Sequence, residues 1–400
     1  RFRTGLPDIS DGQLLFLVNM ISKMNTSTEI GSRIASVHNG SALFTGDAGQ
    51  GASEIRKMII ENDLLECIIA LPTNIFYNTG IPTYIWILSN RKEERRKGKV
   101  QLINAINTYE KLKKNLGSKN CALSDDQIDE ITKIYLNFEE SNISKIFNNS
   151  DFGYWKIIVE RPLRLKAQLS DKAIESLRFN KAIEDEMRYI YKNYGEAIYK
   201  NLKEYKKDIE NWLKESESTI SAVNKTKLFD ITVWENHKNL IEIAKKLKKE
   251  IGDAEFTNFN KFKEKVEKAI IKLELKISST EKNLIYNNVS WKDEEAEPVV
   301  KENKNGKVIY EIDSELRDSE NVPLNEDIDE YFTREVLKYI PDAWIDKSKT
   351  QKGYSISFTR YFYKYQPPRS LEDITAELEE LQKETKNLLE NFLNNLDYVI

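Results

Sequence analysis

Two adjacent aromatic residues, Phe76 and Tyr77, stand in a polar loop between the apolar runs 67–71 and 83–88. Both runs have the composition of buried strands. Loops at the carboxyl ends of sheet strands are where open α/β sheets bind ligands. An aromatic ring that stacks on a nucleic-acid base contributes on the order of 1–3 kcal/mol. The loop therefore predicts a site for a flat ring, such as a base turned out of a duplex. The alternative, which spacing alone favours, is that both rings pack into the core beneath the loop.

Other residues that could take part in catalysis or ligand binding form weaker patterns. His38 and His237 are far apart and lack cysteine or acidic partners at ligand spacing, which predicts no metal site. His38 ends a predicted strand, where it either is a structural histidine with satisfied hydrogen bonds or faces a pocket. The glycine-rich loop 46–51 precedes a predicted helix and could bind an anion at its N-terminus. It lacks the Lys-Ser/Thr ending of a P-loop, so a plain surface loop is the other interpretation.

Composition limits the class of protein. The 400 residues are 40% hydrophobic and 32% charged, and 61 basic against 65 acidic residues give a net charge of -4. A near-neutral total neither supports nor excludes DNA, because basic groups can be local. Cys67 and Cys121 are the only cysteines, which is typical of a reducing cytoplasm. No apolar run approaches the roughly 20 residues that span a membrane. The chain begins with Arg1, and we expect it to be part of a longer protein.

Hydrophobic periodicity predicts an α/β fold at the amino-terminal end. The predicted helices are 11–24 and 53–62, and the predicted strands are 33–38, 67–71, 83–88 and 100–103. Strand, helix, strand and hairpin indicate the second half of a doubly wound, Rossmann-like sheet that ends in an antiparallel edge. We predict that the first half of such a sheet is not in this chain.

The rest of the chain is predicted to be mainly helical. Residues 105–119 and 125–137 have helical spacing, and 170–286 is dense in Lys and Glu with few Gly or Pro. This charged segment predicts a solvated helical bundle, with a DNA-contacting role as the alternative. Residues 291–306 predict a mobile linker. Four segments follow from these patterns. They are an α/β half-domain with an extended arm (1–165), a helical region (166–290), a linker with a mixed α/β segment (291–370) and a terminal helix (371–400).

The terminal helix carries a seam of apolar residues that alternate at spacings of three and four. Its members are Leu371, Ile374, Leu378, Leu381, Thr385, Leu388 and Phe392. Such a helix binds another helix of a partner or folds back on its own domain, and the spacing leaves both open.

Motifs along nearly the whole chain resemble one family, the modification (M) subunits of type I restriction–modification systems. The segments that carry the resemblance most clearly are 39–40, 43–49, 54–57, 64–66, 71–73, 76–81, 96–102, 151–154, 159–165, 321–324, 327–328, 331–332, 341–346 and 360–363. Residues 177–280 carry it least. These subunits are adenine-N6 DNA methyltransferases, and the resemblance implies methyl transfer from S-adenosylmethionine to the exocyclic nitrogen of adenine.

The resemblance also implies roles for individual residues. Phe76 matches the aromatic residue that stacks on the flipped adenine, with Tyr77 as the fallback, and Asn78, Thr79 and Gly80 complete the substrate-binding loop. The family's catalytic Asn/Asp-Pro-Pro-aromatic signature and its S-adenosylmethionine motif are absent here. We expect both upstream of Arg1. The chain itself is then expected to hold no catalytic residue, to bind S-adenosylmethionine at most weakly and to be inactive alone.

The implied partners are double-stranded DNA, a specificity (S) subunit and, through the complex, a restriction (R) subunit. In the family, terminal helices bind the S subunit, which fits Leu371, Ile374, Leu378, Leu381, Leu388 and Phe392. The rival interpretation is a non-catalytic assembly module that docks a specificity subunit.

Overall fold

A computed structural model of the chain describes residues 2–216, 218–304, 306–365, 368 and 370–396, and for 389–396 it describes the main chain only. The chain divides into two compact units. The first contains residues 1–155, 323–325 and 351–400, and the second contains 156–322 and 326–350. This division does not follow the four predicted segments, because part of 291–370 falls in each unit.

The first unit begins with alternating helices and strands. In chain order these are α1 (Gln13–Ile21), β1 (Arg33–Asn39), α2 (Ser41–Phe44), α3 (Gly51–Glu61), β2 (Leu65–Leu71), β3 (Thr83–Ser89) and β4 (Lys99–Asn104). There follow β5 (Glu110–Leu116), β6 (Lys119–Ala122), α4 (Asp125–Asn137), β7 (Ser144–Asn148) and β8 (Gly153–Glu160). The last residues of β8 lie in the second unit.

Five strands form a mixed sheet in the order β1-β3-β2-β4-β7. β2 and β4 are parallel, whereas β3 is antiparallel to both β1 and β2. Alternate residues of β2 enter two cores: Ile68 packs with α1 and α3, and Cys67 packs with α4 through Ile131. The predicted α/β class is confirmed. The antiparallel strand β3 lies inside the sheet, while the antiparallel edge is β7.

The predicted helix 105–119 is wrong. β5 and β6 form an antiparallel hairpin there, with Leu116 paired to Lys119 around a turn at Gly117. Gly117 has a φ of +63°, which an L-residue adopts only with strain. Leu112 and Leu116 have a helical spacing, but the helix they suggest would have crossed this turn. Most of the hairpin is exposed to solvent.

The second unit contains the charged helical region. Its elements in chain order are β9 (Leu165–Ala167), α5 (Asp171–Ser176), α6 (Glu184–Tyr194), α7 (Ile198–Glu215), α8 (Ala222–Leu228), α9 (Ile231–Ile251), α10 (Phe259–Lys272), α11 (Ser279–Val289), β10 (Ser290–Lys292), β11 (Val300–Lys304), β12 (Lys307–Tyr310), β13 (Asp318–Pro323), α12 (Ile328–Phe332) and β14 (Trp344–Ile345). The helices bury two apolar cores, one around Phe262 and Leu247 and one around Trp234 and Met187.

The linker predicted at 291–306 is wrong where the structure has the strands β10 and β11. β10 pairs with β9, so that Trp291 lies opposite Lys166, and β11 forms a hairpin with β12. The local sequence is polar and charged, and it gives no sign of a strand partner about 125 residues earlier.

The chain returns to the first unit with β15 (Gln351–Tyr354), α13 (Phe358–Phe362) and the terminal helix α14 (Leu371–Leu396). Tyr354 and Phe358 are buried in the same core as α1 and α3. Across the described ranges, no helix has the length and apolar character to cross a membrane.

Candidate functional site

The loop with the two aromatic residues, 72–82, joins β2 to β3. Leu71 and Thr83 are paired across these antiparallel strands, so the loop is the closed end of a long hairpin. Asn74 adopts a φ of +57° at its start. A β-bridge between Phe76 and Thr79 then places Tyr77 and Asn78 at the tip of a tight turn. The loop thus has a defined local structure.

Neither aromatic ring packs into the core. Phe76 is 38% exposed and Tyr77 is 60% exposed. The interpretation that both rings fill space beneath the loop is therefore wrong. Burying an aromatic side chain is favourable by a few kcal/mol, so two exposed rings side by side offer apolar surface to a ligand. That Phe76 stacks on a base stays a prediction, as do the roles of Asn78, Thr79 and Gly80.

The β5–β6 hairpin supports the aromatic loop through main-chain contacts. The Ser118 N–H donates to the carbonyl oxygen of Tyr77 over 2.8 Å, and the Asn120 N–H donates to that of Asn74 over 3.1 Å. The thiol of Cys121 donates to the carbonyl oxygen of Thr73 over 3.3 Å. These three contacts hold the loop in place between Thr73 and Tyr77. The sequence could have signalled this hairpin only through Gly117 and Ser118, a turn pair between two short segments.

A cavity of about 580 Å³ lies beside the loop and the hairpin. Its lining consists of Thr73, Asn74, Pro82, Tyr84, Ile106, Asn107, Tyr109, Lys111, Leu112, Asn115, Asn120, Cys121 and Thr359. The lining combines apolar, aromatic and amide side chains with one charged side chain, that of Lys111. Burial raises the pKa of Tyr84, so its phenol is neutral at physiological pH. Such a lining suits an uncharged ring with hydrogen-bonding edges.

His38 is only 4% exposed and does not line this cavity. Its ring stands edge-on to Trp86, with centroids 5.8 Å apart. Neither ring nitrogen has a hydrogen-bond partner among the described residues. Burial lowers the pKa of His38, and the negative charge of Asp11 opposes that shift. His38 is therefore buried in the structure, but it is not the satisfied structural histidine of the first alternative, because its ring nitrogens lack hydrogen-bond partners among the described residues.

A polar cluster that the sequence did not indicate lies where β1 ends. The Gln13 amide donates to Asp11 over 2.8 Å and to Asn39 over 2.6 Å, and the Ser41 hydroxyl donates to Asp11 and Asn39. The hydrogen bond from Ser41 is the main cause that lowers the pKa of Asp11. Because these groups bond one another, they form a closed network that orients the start of α1 against β1.

The glycine-rich loop 46–51 is occupied by its own chain. The buried guanidinium of Arg56 donates to the carbonyl oxygens of Ala42, Thr45 and Gly46 over 2.7 to 3.3 Å. The Asp47 N–H donates to the side chain of Gln50 over 2.9 Å. The loop follows the short helix α2 rather than a strand, and the Ala48 and Gln50 N–H groups donate to Asp47 within the loop. The plain-loop interpretation is the one that the structure supports.

Metal ligands do not converge in the described ranges of the chain: no three His, Cys, Asp or Glu side chains there could hold a metal ion. Cys67 and Cys121 are both buried and unpaired.

The apolar seam of α14 is exposed. Its described aliphatic members are Leu371, Ile374, Leu378, Leu381 and Leu388, and all five are exposed, as is Thr385. The side chain of Phe392, the sixth predicted contact, lies outside the described residues. The alternative that this seam folds back on its own domain is not what the structure has. Which partner covers the seam stays a prediction.

Residues 1–153 match the family described as N-6 DNA Methylase. The MjaVIII type I restriction enzyme methylase subunit of Methanocaldococcus jannaschii is 40% identical over 103 residues, which are 25% of this chain and 18% of that protein. The HindI methylase subunit of Haemophilus influenzae is 36% identical over 136 residues, 34% of this chain and 27% of that protein.

Among solved structures, the type I restriction-modification methyltransferase subunit of Streptococcus thermophilus shares 24% identity over 36% of this chain and 28% of that chain, with a TM-score of 0.32. The chain spans only 18% and 27% of the two curated relatives. The match of residues 1–153 to the N-6 DNA methylase family and the similarity to these methylase subunits confirm the resemblance to the modification subunits of type I restriction–modification systems.

Proposed function

We propose that this chain is part of a modification subunit that transfers a methyl group from S-adenosylmethionine to N6 of adenine in DNA. The observation that carries the proposal is the exposed ring of Phe76 on the loop between β2 and β3, within the segment that matches the N-6 DNA methylase family. In the proposal, Phe76 stacks on the adenine that is turned out of the duplex. Tyr77 is the second choice for that role.

The surroundings of Phe76 support a stacking role. A flipped base must be held flat so that its amine points at the methyl carbon, and positioning of this kind supplies much of the barrier reduction in a two-substrate reaction. The main-chain bonds from Ser118 and Asn120 hold the loop while leaving the ring exposed. In the proposal Asn78, Thr79 and Gly80 shape the turn beneath the base, and amides of the neighbouring cavity face the base edge.

In the proposal, the loop 46–51 does not hold S-adenosylmethionine. The loop 46–51 follows a helix, and its carbonyl oxygens at Thr45 and Gly46 accept hydrogen bonds from Arg56. The sequence also has no Asn/Asp-Pro-Pro-aromatic tetrapeptide. In the proposal, the methyl donor and the groups that accept the amine protons are therefore held by a segment outside this chain, and the chain alone is inactive.

The exposed seam of α14 supports a helical partner. In the proposal that partner is the specificity subunit, and a restriction subunit joins through the complex on double-stranded DNA. A helix with five apolar side chains in water is stabilised when a second helix covers them. The unpaired Cys67 and Cys121 agree with a reducing cytoplasm as the place of action.

The test of the stacking role uses the intact modification subunit assembled with its specificity subunit. Phe76→Ala is expected to reduce methyl transfer by roughly 10-fold or more, because stacking contributes about 1–3 kcal/mol per base, while assembly is unchanged. Phe16→Ala removes another exposed aromatic ring, on α1, and serves as the matched control. Turnover that is equal in the two variants would contradict the role of Phe76.

A second candidate function is a non-catalytic assembly module. The observation that favours it is the combination of an exposed α14 seam with a loop 46–51 whose Gly46 carbonyl oxygen already accepts from Arg56. The intact subunit distinguishes the two functions. An assembled complex that needs α14 but neither binds S-adenosylmethionine by calorimetry nor methylates DNA would be the assembly module.

A further inference from the structure

The β5–β6 hairpin is a local concentration of positive charge. It carries Lys111, Lys113, Lys114 and Lys119 against one acidic residue, Glu110, in a chain whose net charge is -4. Lys111, Lys113 and Lys114 are exposed, and Lys119 is half-buried. Among the ion pairs of the described residues, none involves any of these four lysines. Lys111, Lys113 and Lys114 thus offer charge that the ion pairs of the described residues do not use.

The position of this charge distinguishes it from an ordinary solvated surface. The turn of the hairpin is bonded to the aromatic loop at Tyr77 and Asn74. The Lys119 ammonium lies 5.4 Å from the centre of the Tyr77 ring. Lysines interleaved with exposed aromatic rings are how proteins bind a strand whose bases have left the stack, because the rings take the bases and the cations take the phosphates.

We propose that the β5–β6 hairpin is a DNA-backbone contact, in which Lys111, Lys113 and Lys114 bind phosphates beside the nucleotide that Phe76 receives. The hairpin has a second task in this arrangement, since its main-chain bonds fix the loop that carries Phe76. The hairpin then both binds the DNA backbone and fixes the position of the stacking ring. The identity of the nucleotide rests on the proposed function, whereas the phosphate contact does not depend on it.

A second lysine cluster provides a matched control. Lys261, Lys265 and Lys268 of α10 are exposed and lie on one face of the helix at spacings of four and three residues. They belong to the second unit, whereas the aromatic loop is in the first. Replacing three lysines at either place changes the net charge of the chain by the same amount. A difference between the two triple variants therefore reports position and not total charge.

The experiment measures binding of the intact modification subunit, assembled with its specificity subunit, to a fluorescent DNA duplex with 2-aminopurine at the target adenine, over roughly 50 to 200 mM salt. Each phosphate contact contributes about 0.9 to the slope of log K against log salt concentration. The variant Lys111→Gln/Lys113→Gln/Lys114→Gln is expected to lower this slope by about 2 to 3. The variant Lys261→Gln/Lys265→Gln/Lys268→Gln is expected to keep the slope of the unaltered chain.

The outcomes separate the hairpin from the stacking ring. Phe76→Ala is expected to keep the slope but to lose the change in 2-aminopurine emission. If the hairpin variant has a lower slope, the hairpin contact is supported. If Phe76→Ala does not alter the 2-aminopurine emission, the stacking role is contradicted. An unchanged slope in the hairpin variant would overturn the hairpin contact whatever Phe76→Ala does, and so would an unaltered chain that fails to bind duplex at low salt.

An acidic polypeptide is the competing ligand for such a surface. Polyglutamate binding, measured on the unaltered protein and on the two triple variants, distinguishes an acidic polypeptide from DNA as the ligand. A hairpin variant that loses polyglutamate but keeps the full salt slope with DNA would overturn the proposal in favour of a protein partner. Thermal unfolding of both triple variants is expected to match that of the unaltered chain, because the replaced side chains are exposed.

Discussion

The Nε of Arg56 donates to the main-chain oxygen of Tyr354 over 2.7 Å, although 298 residues separate the two in the chain. The Tyr354 N–H in turn donates to Ser53 over 3.2 Å. Arg56 is fully buried without a carboxylate partner in the described residues, so carbonyl dipoles alone balance its charge. Burial lowers the pKa of Arg56 to about 10. This side chain joins α3 to β15 and also orders the loop 46–51.

Arg56→Met is expected to lower the free energy of unfolding by about 3 kcal/mol or more, because several buried carbonyl groups lose a charged donor at once. Urea denaturation measures the change. Arg360→Met is the matched control, since Arg360 is exposed on α13. An Arg56→Met chain as stable as this control would show that water replaces the guanidinium at no cost.

The sequence was sufficient where local pattern and fold agree. The strand predicted at 83–88 is β3 (Thr83–Ser89), and the terminal helix predicted within 371–400 is α14 (Leu371–Leu396). A run of apolar residues made β3 predictable, and a seam of apolar residues at helical spacing made α14 predictable. The pairing of β3 between β1 and β2 was not readable, because strand order depends on contacts that span about 50 residues.

The sequence failed where the deciding contact is remote or the side chains are exposed. Residues 110–116 present mostly polar side chains, so no alternation marks β5 as a strand. The bonds from Ser118 and Asn120 to the aromatic loop are made by main-chain groups, which the side-chain pattern does not encode. For the candidate site, Phe76 and Tyr77 were named from the sequence, whereas the exposure of their rings could be learned only from the structure.

Glu160, in the second unit, is expected to show an asymmetric response to mutation. Its carboxylate is fully buried and accepts from Arg317 Nε at 2.9 and 3.0 Å and from Lys349 at 3.3 Å. Glu160→Gln keeps the shape of the side chain and leaves two cations that reach water, so we expect a loss of about 1 kcal/mol. Arg317→Met leaves the buried carboxylate with one weaker partner and is expected to destabilise more.

Chemical denaturation of the two variants measures this difference. Lys347→Met removes a cation from an exposed pair with Asp329 and is expected to have no measurable effect. If Glu160→Gln were the more damaging of the first two changes, desolvation of the carboxylate would not control the stability of this pair.

The stability of the first unit is expected to depend on pH through His38. Burial holds the pKa of His38 below its ordinary value, so below about pH 6.5 the unfolded chain binds more protons than the folded chain. Stability is therefore complete above that pH and falls as the pH drops toward the lowered pKa, by up to about 1.4 kcal/mol per pH unit. His38→Phe is expected to remove this part of the loss.

Urea denaturation at pH 7.5 and pH 5 measures the effect, and His237 supplies the comparison. Burial also lowers the pKa of His237, but its Nδ1 lies 2.7 Å from the carbonyl oxygen of Leu177. His237→Phe is thus expected to cost about 1 kcal/mol at pH 7.5, whereas His38→Phe removes no hydrogen bond of the described residues. A stability difference between His38→Phe and the unaltered chain that is the same at both pH values would contradict the expected linkage.

The seam of α14 is expected to affect association but not stability. Leu378 and Leu381 are exposed, so Leu378→Lys/Leu381→Lys should leave the unfolding transition unchanged. Under the proposed function the same variant is expected to lose co-purification with the specificity subunit, because two buried charges would face the partner helix. Lys383→Asp changes the opposite side of the helix and is expected to retain the partner. Loss of association in both variants would mean that charge and not the seam decides.

The contact between the hairpin turn and the aromatic loop can be tested with two glycines of similar backbone conformation. Gly117 has a φ of +63° and Gly98 a φ of +69°, so alanine at either position is strained by roughly 1 kcal/mol. A Cβ at Gly117 would lie 2.8 Å from the Tyr77 carbonyl oxygen, whereas a Cβ at Gly98 has nothing within 4 Å. Gly117→Ala is therefore expected to destabilise more than Gly98→Ala.

Hydrogen exchange should also become faster at the amides of Ser118 and Asn120 in Gly117→Ala alone, because only that change pushes the turn away from the loop. Equal exchange in both variants would mean that the loop is held by its own bridge and not by the hairpin.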